Sequence, residues 1–117
     1  MRYIVSISAV CLLVAALGGC TAQALCAKNR ECASDPPGED YERICQVNYD
    51  GQIRAYRANK EDVCQDLADA KLAYDACRAQ LECRDFTEAD HNGECEDERD
   101  AYVDAFSDAE QECGTLD

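Results

Sequence analysis

The sequence predicts an all-α fold: a small disulfide-stapled helical bundle of three longer helices plus one short N-terminal helix. Three observations carry that prediction. Apolar residues recur at three- and four-residue steps over long stretches. Cysteines are numerous for the length, ten in 117 residues. The core is thin, with no Trp and only two Phe beside six Tyr, so crosslinks must supply stability that burial does not.

The longest periodic stretch spans residues 63–83. Val63, Leu67, Ala70, Tyr74, Cys77 and Leu81 fall along one side of a helix there, with Asp66, Asp69, Lys71, Asp75, Arg78 and Glu82 elsewhere around it. This helix is the predicted central post, ending near Phe86. Cys64 sits in its first turn and Cys83 near its end, about 28 Å apart on a straight helix. Two such thiols cannot bond to each other, so each must reach another segment.

The chain opens on Met1-Arg2 and an almost wholly apolar run over residues 3–17, which is the pattern of a secretory signal and short for a spanning helix. Leu17-Gly18-Gly19-Cys20 follows, and it resembles the lipobox of bacterial lipoproteins. The resemblance covers the leader alone. It implies a lipoprotein signal peptide at residues 1–19, cleavage before Cys20, and lipidation of Cys20 through a diacylglyceryl thioether and an acylated amine. Small residues suit the cleaved bond because the peptidase binds extended backbone there. Thr21, where retained lipoproteins carry Asp, points to an outer membrane if the cell has two. Ala22-Gln23-Ala24 offers a competing A-x-A site with cleavage after Ala24.

Removing residues 1–19 leaves 98 residues, enough for one small domain. Arg2 is the only charge lost, so ten basic and 25 acidic side chains remain, a formal −15. Such a body repels nucleic acid and anionic headgroups, and no nucleic-acid partner is expected. A lipid bilayer can still hold it through acylated Cys20. Cys11 leaves with the leader. Either cleavage keeps eight cysteines, Cys26, Cys32, Cys45, Cys64, Cys77, Cys83, Cys95 and Cys113, which read as four disulfides of an exported domain.

Along the mature chain, residues 20–25 read as a tether and residues 26–117 as the cysteine-rich helical domain. A short helix over residues 25–33 is stopped by Ser34-Asp35-Pro36-Pro37-Gly38. Tyr41, Ile44, Cys45, Tyr49, Ile53 and Tyr56 then follow helical spacing through the turn dipeptide Asp50-Gly51. A hairpin about that dipeptide would set Val47 opposite Arg54 and Ile44 opposite Arg57, leaving neither face apolar, so helix with a kink at Gly51 is preferred. Asn59 can cap the post, with Asp62 three residues on. After a polar loop over residues 87–93, the last helix is predicted over residues 94–113. It carries Cys95, Tyr102, Phe106, Ala109 and Cys113 on one stripe, acids in its first turn and Gly114 at its cap. Cys26, Cys45, Cys64 and Cys83 recur every 19 residues, but the intervening residues do not match and no tandem repeat is inferred.

Antiparallel pairing of the post with the last helix about a turn near residue 89 predicts Cys83–Cys95 and Cys64–Cys113. The turn near residues 35–36 pairs Cys26 with Cys45, and Cys32 is left to Cys77.

Chemistry-bearing patterns are few. The closest cysteines have five residues between them, with no Cys-x-x-Cys and one His, so neither a sulfur-bound metal nor a redox dithiol is expected, and no cofactor. Glu88-Ala89-Asp90-His91-Asn92-Gly93-Glu94-Cys95-Glu96 resembles an EF-hand-type loop, and also the DxDxDGxxCE loop of excalibur-type calcium domains. It departs from both: Glu88 replaces Asp, one residue is missing between Gly93 and Cys95, and Arg99 stands where a bidentate Glu is needed. His91 reads as an exposed loop residue, and Ser34 and Ser107 lack a nucleophile motif. Secreted helical phospholipases carry a Cys-Cys-x-x-His-Asp run that is missing. Tyr41, Tyr49, Tyr56, Tyr74 and Tyr102 are expected in the core, hydroxyls at its edge.

The sequence therefore predicts a non-enzymatic, membrane-anchored cysteine-rich lipoprotein of the bacterial cell envelope, on the outer membrane or cell surface. Its expected role is to bind another envelope or extracellular protein. The alternative is a small calcium-dependent or hydrolytic exported protein using residues 88–96.

Overall fold

The computed structural model of the chain describes residues 19–35, 37–110 and 112–113. The leader through Gly18, Pro36 of the Pro-Pro turn and the Gly114 cap lie outside the described residues. Five α-helices follow one another: α1 Gly19–Cys32, α2 Tyr41–Ala58, α3 Asp62–Arg78, α4 Cys83–Phe86 and α5 Glu96–Ala109, with a 3₁₀ turn at His91–Gly93. The described residues hold no strand. The protein is thus an all-α bundle stapled by disulfides.

α3 is the central post, touching α1, α2 and α5. Because neighbours cover it on more than one side, its buried residues are Cys64, Leu67, Ala68, Leu72 and Asp75, a wider face than the single predicted stripe. Tyr49, Ile53 and Tyr56 of α2, Ala22 and Leu25 of α1, and Ala109 at the end of α5 close the core around it. Tyr102 and Phe106 pack on it while half-buried.

Several boundaries differ from the sequence reading. The N-terminal helix is fourteen residues long and begins at Gly19, so residues 20–25 are its first turns and not a tether. Ala22 and Ala24 there favour helix, and Thr21, Ala22 and Leu25 are buried, which fixes that face against the core. The post, in turn, stops at Arg78. Ala79 caps it, and Gln80 and Leu81 donate to the carbonyls of Cys77 and Arg78 at 3.1 Å each, a tightening of the last turn. Glu82 is extended (ψ 155°), and Cys83 opens the separate helix α4.

That break redraws half the disulfide map. Cys26–Cys45 and Cys64–Cys113 pair as predicted. The other two bonds are Cys32–Cys83 and Cys77–Cys95, in place of Cys32–Cys77 and Cys83–Cys95. The predicted pairs assumed that Cys83 rides the post. Once the chain turns after Arg78, Cys77 is the last cysteine of α3 and meets Cys95 at the start of α5, while Cys83 swings to Cys32 with Cα atoms 5.2 Å apart.

α2 runs unbroken through Asp50 and Gly51, with no turn at that dipeptide. Asn59 terminates α2 instead of capping α3; its Oδ1 accepts from the Glu61 amide at 2.9 Å, and α3 starts at Asp62. Gln65 reaches back to the end of α2, its Nε2 donating to the Asn59 and Arg57 carbonyls at 2.6 and 3.0 Å. Asn59 Nδ2 also donates to the Glu112 carbonyl, which ties the chain's end to this corner. α5 begins at Glu96, two residues late, because Cys95 takes a left-handed conformation (φ 58°).

Candidate functional site

The most concentrated polar chemistry lies inside the bundle. Asp75 is almost fully buried, and Tyr49 Oη donates to its Oδ2 at 2.7 Å. Lys71 Nζ lies 3.2 Å from Oδ2 and Arg78 Nε 3.1 Å from Oδ1, the latter an ion pair outside hydrogen-bond alignment. Spacings of four and three residues on α3 place both cations beside the carboxylate. Aromatic faces complete the cage: Lys71 lies over Tyr49 and Tyr102, Arg78 over Tyr74 and Phe86. Burial, and then the charge of Asp75 beside it, push the Tyr49 phenol far above its ordinary value, and burial also raises Tyr56 and Tyr102. Both carboxylate oxygens of Asp75 are engaged by other members of this cluster. The cluster locks α2, α3 and α5 together, and Asp75 is enclosed within it. The sequence reading put the tyrosines in the core, and Tyr49 and Tyr56 are buried there; Asp75 carried no signal, being one acid among many.

Residues 85–95 form a second knot, and here His91 departs from expectation. It is buried, not an exposed loop residue. Its Nδ1 lies 3.0 Å from the Asp85 carbonyl, which can only accept, so Nδ1 carries the proton. In the neutral ring Nε2 then accepts from Tyr74 Oη at 3.0 Å. The ring also stacks on Phe86. His91, Asn92 and Gly93 all take positive φ, a reversal that aims the imidazole inward. Asp90 Oδ1 accepts from the Asn92 amide, and Asn92 Nδ2 donates to Asp85 Oδ1. The loop's side chains thus bind one another and do not converge on a common point.

Among the described residues one group has ligand atoms close enough to share a metal ion: Glu31, Cys32 and Cys83. Cys32 and Cys83 are bonded to each other, so their sulfurs are not thiolate ligands. The sulfur of Cys20 is itself in a disulfide whose partner lies outside the described residues.

An open cleft of about 440 Å³ runs along the seam of α1 and α2. Leu25 and Asn29 line one wall and Tyr41, Ile44, Asn48, Tyr49 and Gln52 the other, with Cys45 at the floor. None of these carries a formal charge. Ile44 and Val47, on the solvent side of α2, are 50% and 61% exposed. A small, mostly apolar cleft edged by amides suits contact with an apolar or neutral surface more than acid–base chemistry.

With the geometry in place, the described residues form a four-helix, disulfide-stapled module with one short extra helix, α4. No protein-family model, curated protein or solved structure matches the chain.

Proposed function

We propose that the protein is a lipid-anchored, non-catalytic module of the bacterial envelope that binds another envelope or extracellular component. The observation that carries the reading is the leader, in which an apolar run ends at Leu17-Gly18-Gly19-Cys20. Four disulfides among the described residues support an oxidising compartment. The non-catalytic part rests on the interior: Asp75 and His91, the buried titratable candidates, are each consumed by structural partners. Calcium-dependent or hydrolytic use of residues 88–96 is less well supported, since Asp85, Asp90 and Asn92 satisfy one another.

Lipidation makes a strict chemical demand. One sulfur cannot hold both a thioether and a disulfide, so the Cys20 thiol must be free when the diacylglyceryl group is transferred, and the lipidated form lacks the Cys20 disulfide. Intact mass of the mature N-terminal peptide separates the two states. A Cys20→Ser form should leave the detergent phase or stall as precursor. Partition of that variant into detergent, unchanged from the parent, overturns the anchor.

A further inference from the structure

The net charge of the protein hides a segregation that follows the fold. Residues 20–59, which form α1 and α2, carry five basic and six acidic side chains, a net of −1. Residues 60–117 carry five and nineteen, a net of −14. The exposed residues of α2 are Arg43, Ile44, Val47, Asn48, Gly51, Arg54, Ala55 and Ala58, with no carboxylate among them. The two acids of that helix are drawn aside: Glu42 sits 4.0 Å from Arg30, and Oδ1 of Asp50 is buried. Arg43 lies 3.8 Å from Asp40 at the helix start, and Arg54 stands further along the same exposed face.

The disulfide register relates this face to the chain's start. Cys26 and Cys45 are bonded with Cα atoms 5.9 Å apart on antiparallel helices. Cys20 is six residues, about 9 Å, before Cys26, which brings it level with residues near Gly51, in the middle of the exposed face. Cys20, Ala24 and Ala27 also share the outward stripe of α1 by helical spacing. The other acids of residues 20–59, Glu31, Asp35, Glu39 and Asp40, lie at the far end of the α1–α2 pair, and Glu31 is 3.1 Å from Lys28.

We propose that the outer face of α2, with the α1–α2 cleft beside it, rests on a phospholipid surface, and that the acidic α3–α5 half is turned to solvent. The proposal builds on the Cys20 anchor. Ile44 and Val47 enter the interfacial region, Arg54 and Arg43 meet phosphates, and the uncharged cleft avoids stranding a charge there. The remaining acids do not veto the contact. The molecule is 29 Å across its shorter axes, whereas salt screens exposed charge beyond about 8–10 Å.

The chain has no Trp, so single-Trp variants of the processed, acylated protein report position cleanly. Val47→Trp and Ile44→Trp probe the proposed contact, and Val103→Trp probes an equally exposed site on acidic α5. In vesicles of phosphatidylethanolamine and phosphatidylglycerol with brominated acyl chains, the first two should be quenched roughly twofold or more. Val103→Trp should be unquenched, and adding Arg43→Glu and Arg54→Glu should relieve the quenching. Flotation with the vesicles but no quenching at residues 44 and 47 overturns the contact and leaves the anchor standing. Failure to float overturns the anchor and this contact with it. Equal quenching at residues 47 and 103 means no fixed orientation and overturns the contact. So does a blue-shifted residue-47 emission without lipid in a sample with the mass of two chains, because a second copy then covers the face.

Discussion

The two helix pairs of this small bundle handle charge in opposite ways. The α3–α5 pair is acidic outside and keeps Asp75, Lys71, Arg78 and His91 within, each matched to a partner. The α1–α2 pair shows solvent Ile44, Val47 and small residues, and its inner face supplies Tyr49, Ile53 and Tyr56. The disulfides among the described residues follow the same division: Cys64–Cys113 and Cys77–Cys95 clasp α3 to α5 at both ends, Cys26–Cys45 clasps α1 to α2, and Cys32–Cys83 crosslinks the two pairs. The contrast separates two uses of charge. Inside one pair it fixes a unique packing, and the absence of carboxylates from the exposed residues of α2 leaves Ile44 and Val47 on a surface free to meet something else.

The strongest test of this division cuts the bond between the pairs. Cys32 and Cys83 are 51 residues apart, against 19 for Cys26 and Cys45. In the chain-entropy view, removing the first bond with paired Ala substitutions costs about 4 kcal/mol and removing the second about 3 kcal/mol. Denaturant unfolding of the two double variants should rank them that way. Equal losses would mean that the pairs dock firmly without their crosslink. Non-reducing peptide mapping of the parent must also yield Cys32–Cys83 and Cys77–Cys95. A Cys83–Cys95 peptide would restore the symmetric hairpin and refute the break after Arg78.

Next in size is the buried charge. Asp75→Asn keeps shape and an acceptor for Tyr49 but leaves Lys71 and Arg78, at 15% and 25% side-chain exposure, without a counter-ion. The expected loss is about 3 kcal/mol by thermal or denaturant unfolding. Asp69→Asn removes the partner of Arg57 at the surface and should cost under about 1 kcal/mol. Similar losses for the two would show that the interior cluster is hydrated and does not hold the pairs in register.

How far these features were legible in the sequence depends on what marks them there. The period of Tyr41, Ile44, Cys45, Tyr49, Ile53 and Tyr56 announced α2, and helical periodicity outweighed the local turn preference of Asp50-Gly51. Equidistance from a turn was enough for Cys26–Cys45 and Cys64–Cys113. It failed for the remaining pairs because no Gly or Pro marks the end of α3 at Arg78; tertiary contacts decide it. Nor did composition reveal that residues 20–25 extend α1, since a few small residues fit a tether as well as a helix. The burial of His91 was hidden for a related reason: a polar loop was taken to be solvated, whereas three positive-φ residues turn the ring inward. Charge segregation, by contrast, was open to counting. The single figure of −15 conceals it, because −14 of that net charge lies after residue 59.

A smaller effect joins the pairs through one hydroxyl. Tyr49→Phe removes the α2 donor to Asp75, while Lys71 and Arg78 remain, so about 1–2 kcal/mol should be lost at neutral pH. The same phenol sets an alkaline limit. Folding holds Tyr49, Tyr56 and Tyr102 neutral above their ordinary range. Below about pH 10 the tyrosines are neutral in both states and the stability is complete. Above it the unfolded chain ionises first, so stability falls by up to about 1.4 kcal/mol per pH unit for each such tyrosine. Tyr49→Phe should flatten that slope by one tyrosine's share in unfolding curves between pH 9 and pH 11. An unchanged slope would mean that Tyr49 ionises freely in the fold.

Gly51 gives the finest resolution of the contrast, because it probes whether the outer face of α2 is shaped for stability at all. It lies inside α2, is exposed, and a Cβ added there meets nothing within 4 Å. Glycine in a helix interior is less favourable than alanine by about 0.5–1 kcal/mol, since it gives up more backbone freedom on folding. Gly51→Ala should therefore stabilise the protein by that amount, seen as a higher denaturant midpoint with an unchanged slope. The gain would show that this face carries a residue that stability alone would not choose, in line with a surface given over to contact. A neutral or destabilising result would instead mean that Gly51 packs against something in solution, and α2 would lose its standing as the open side of the molecule.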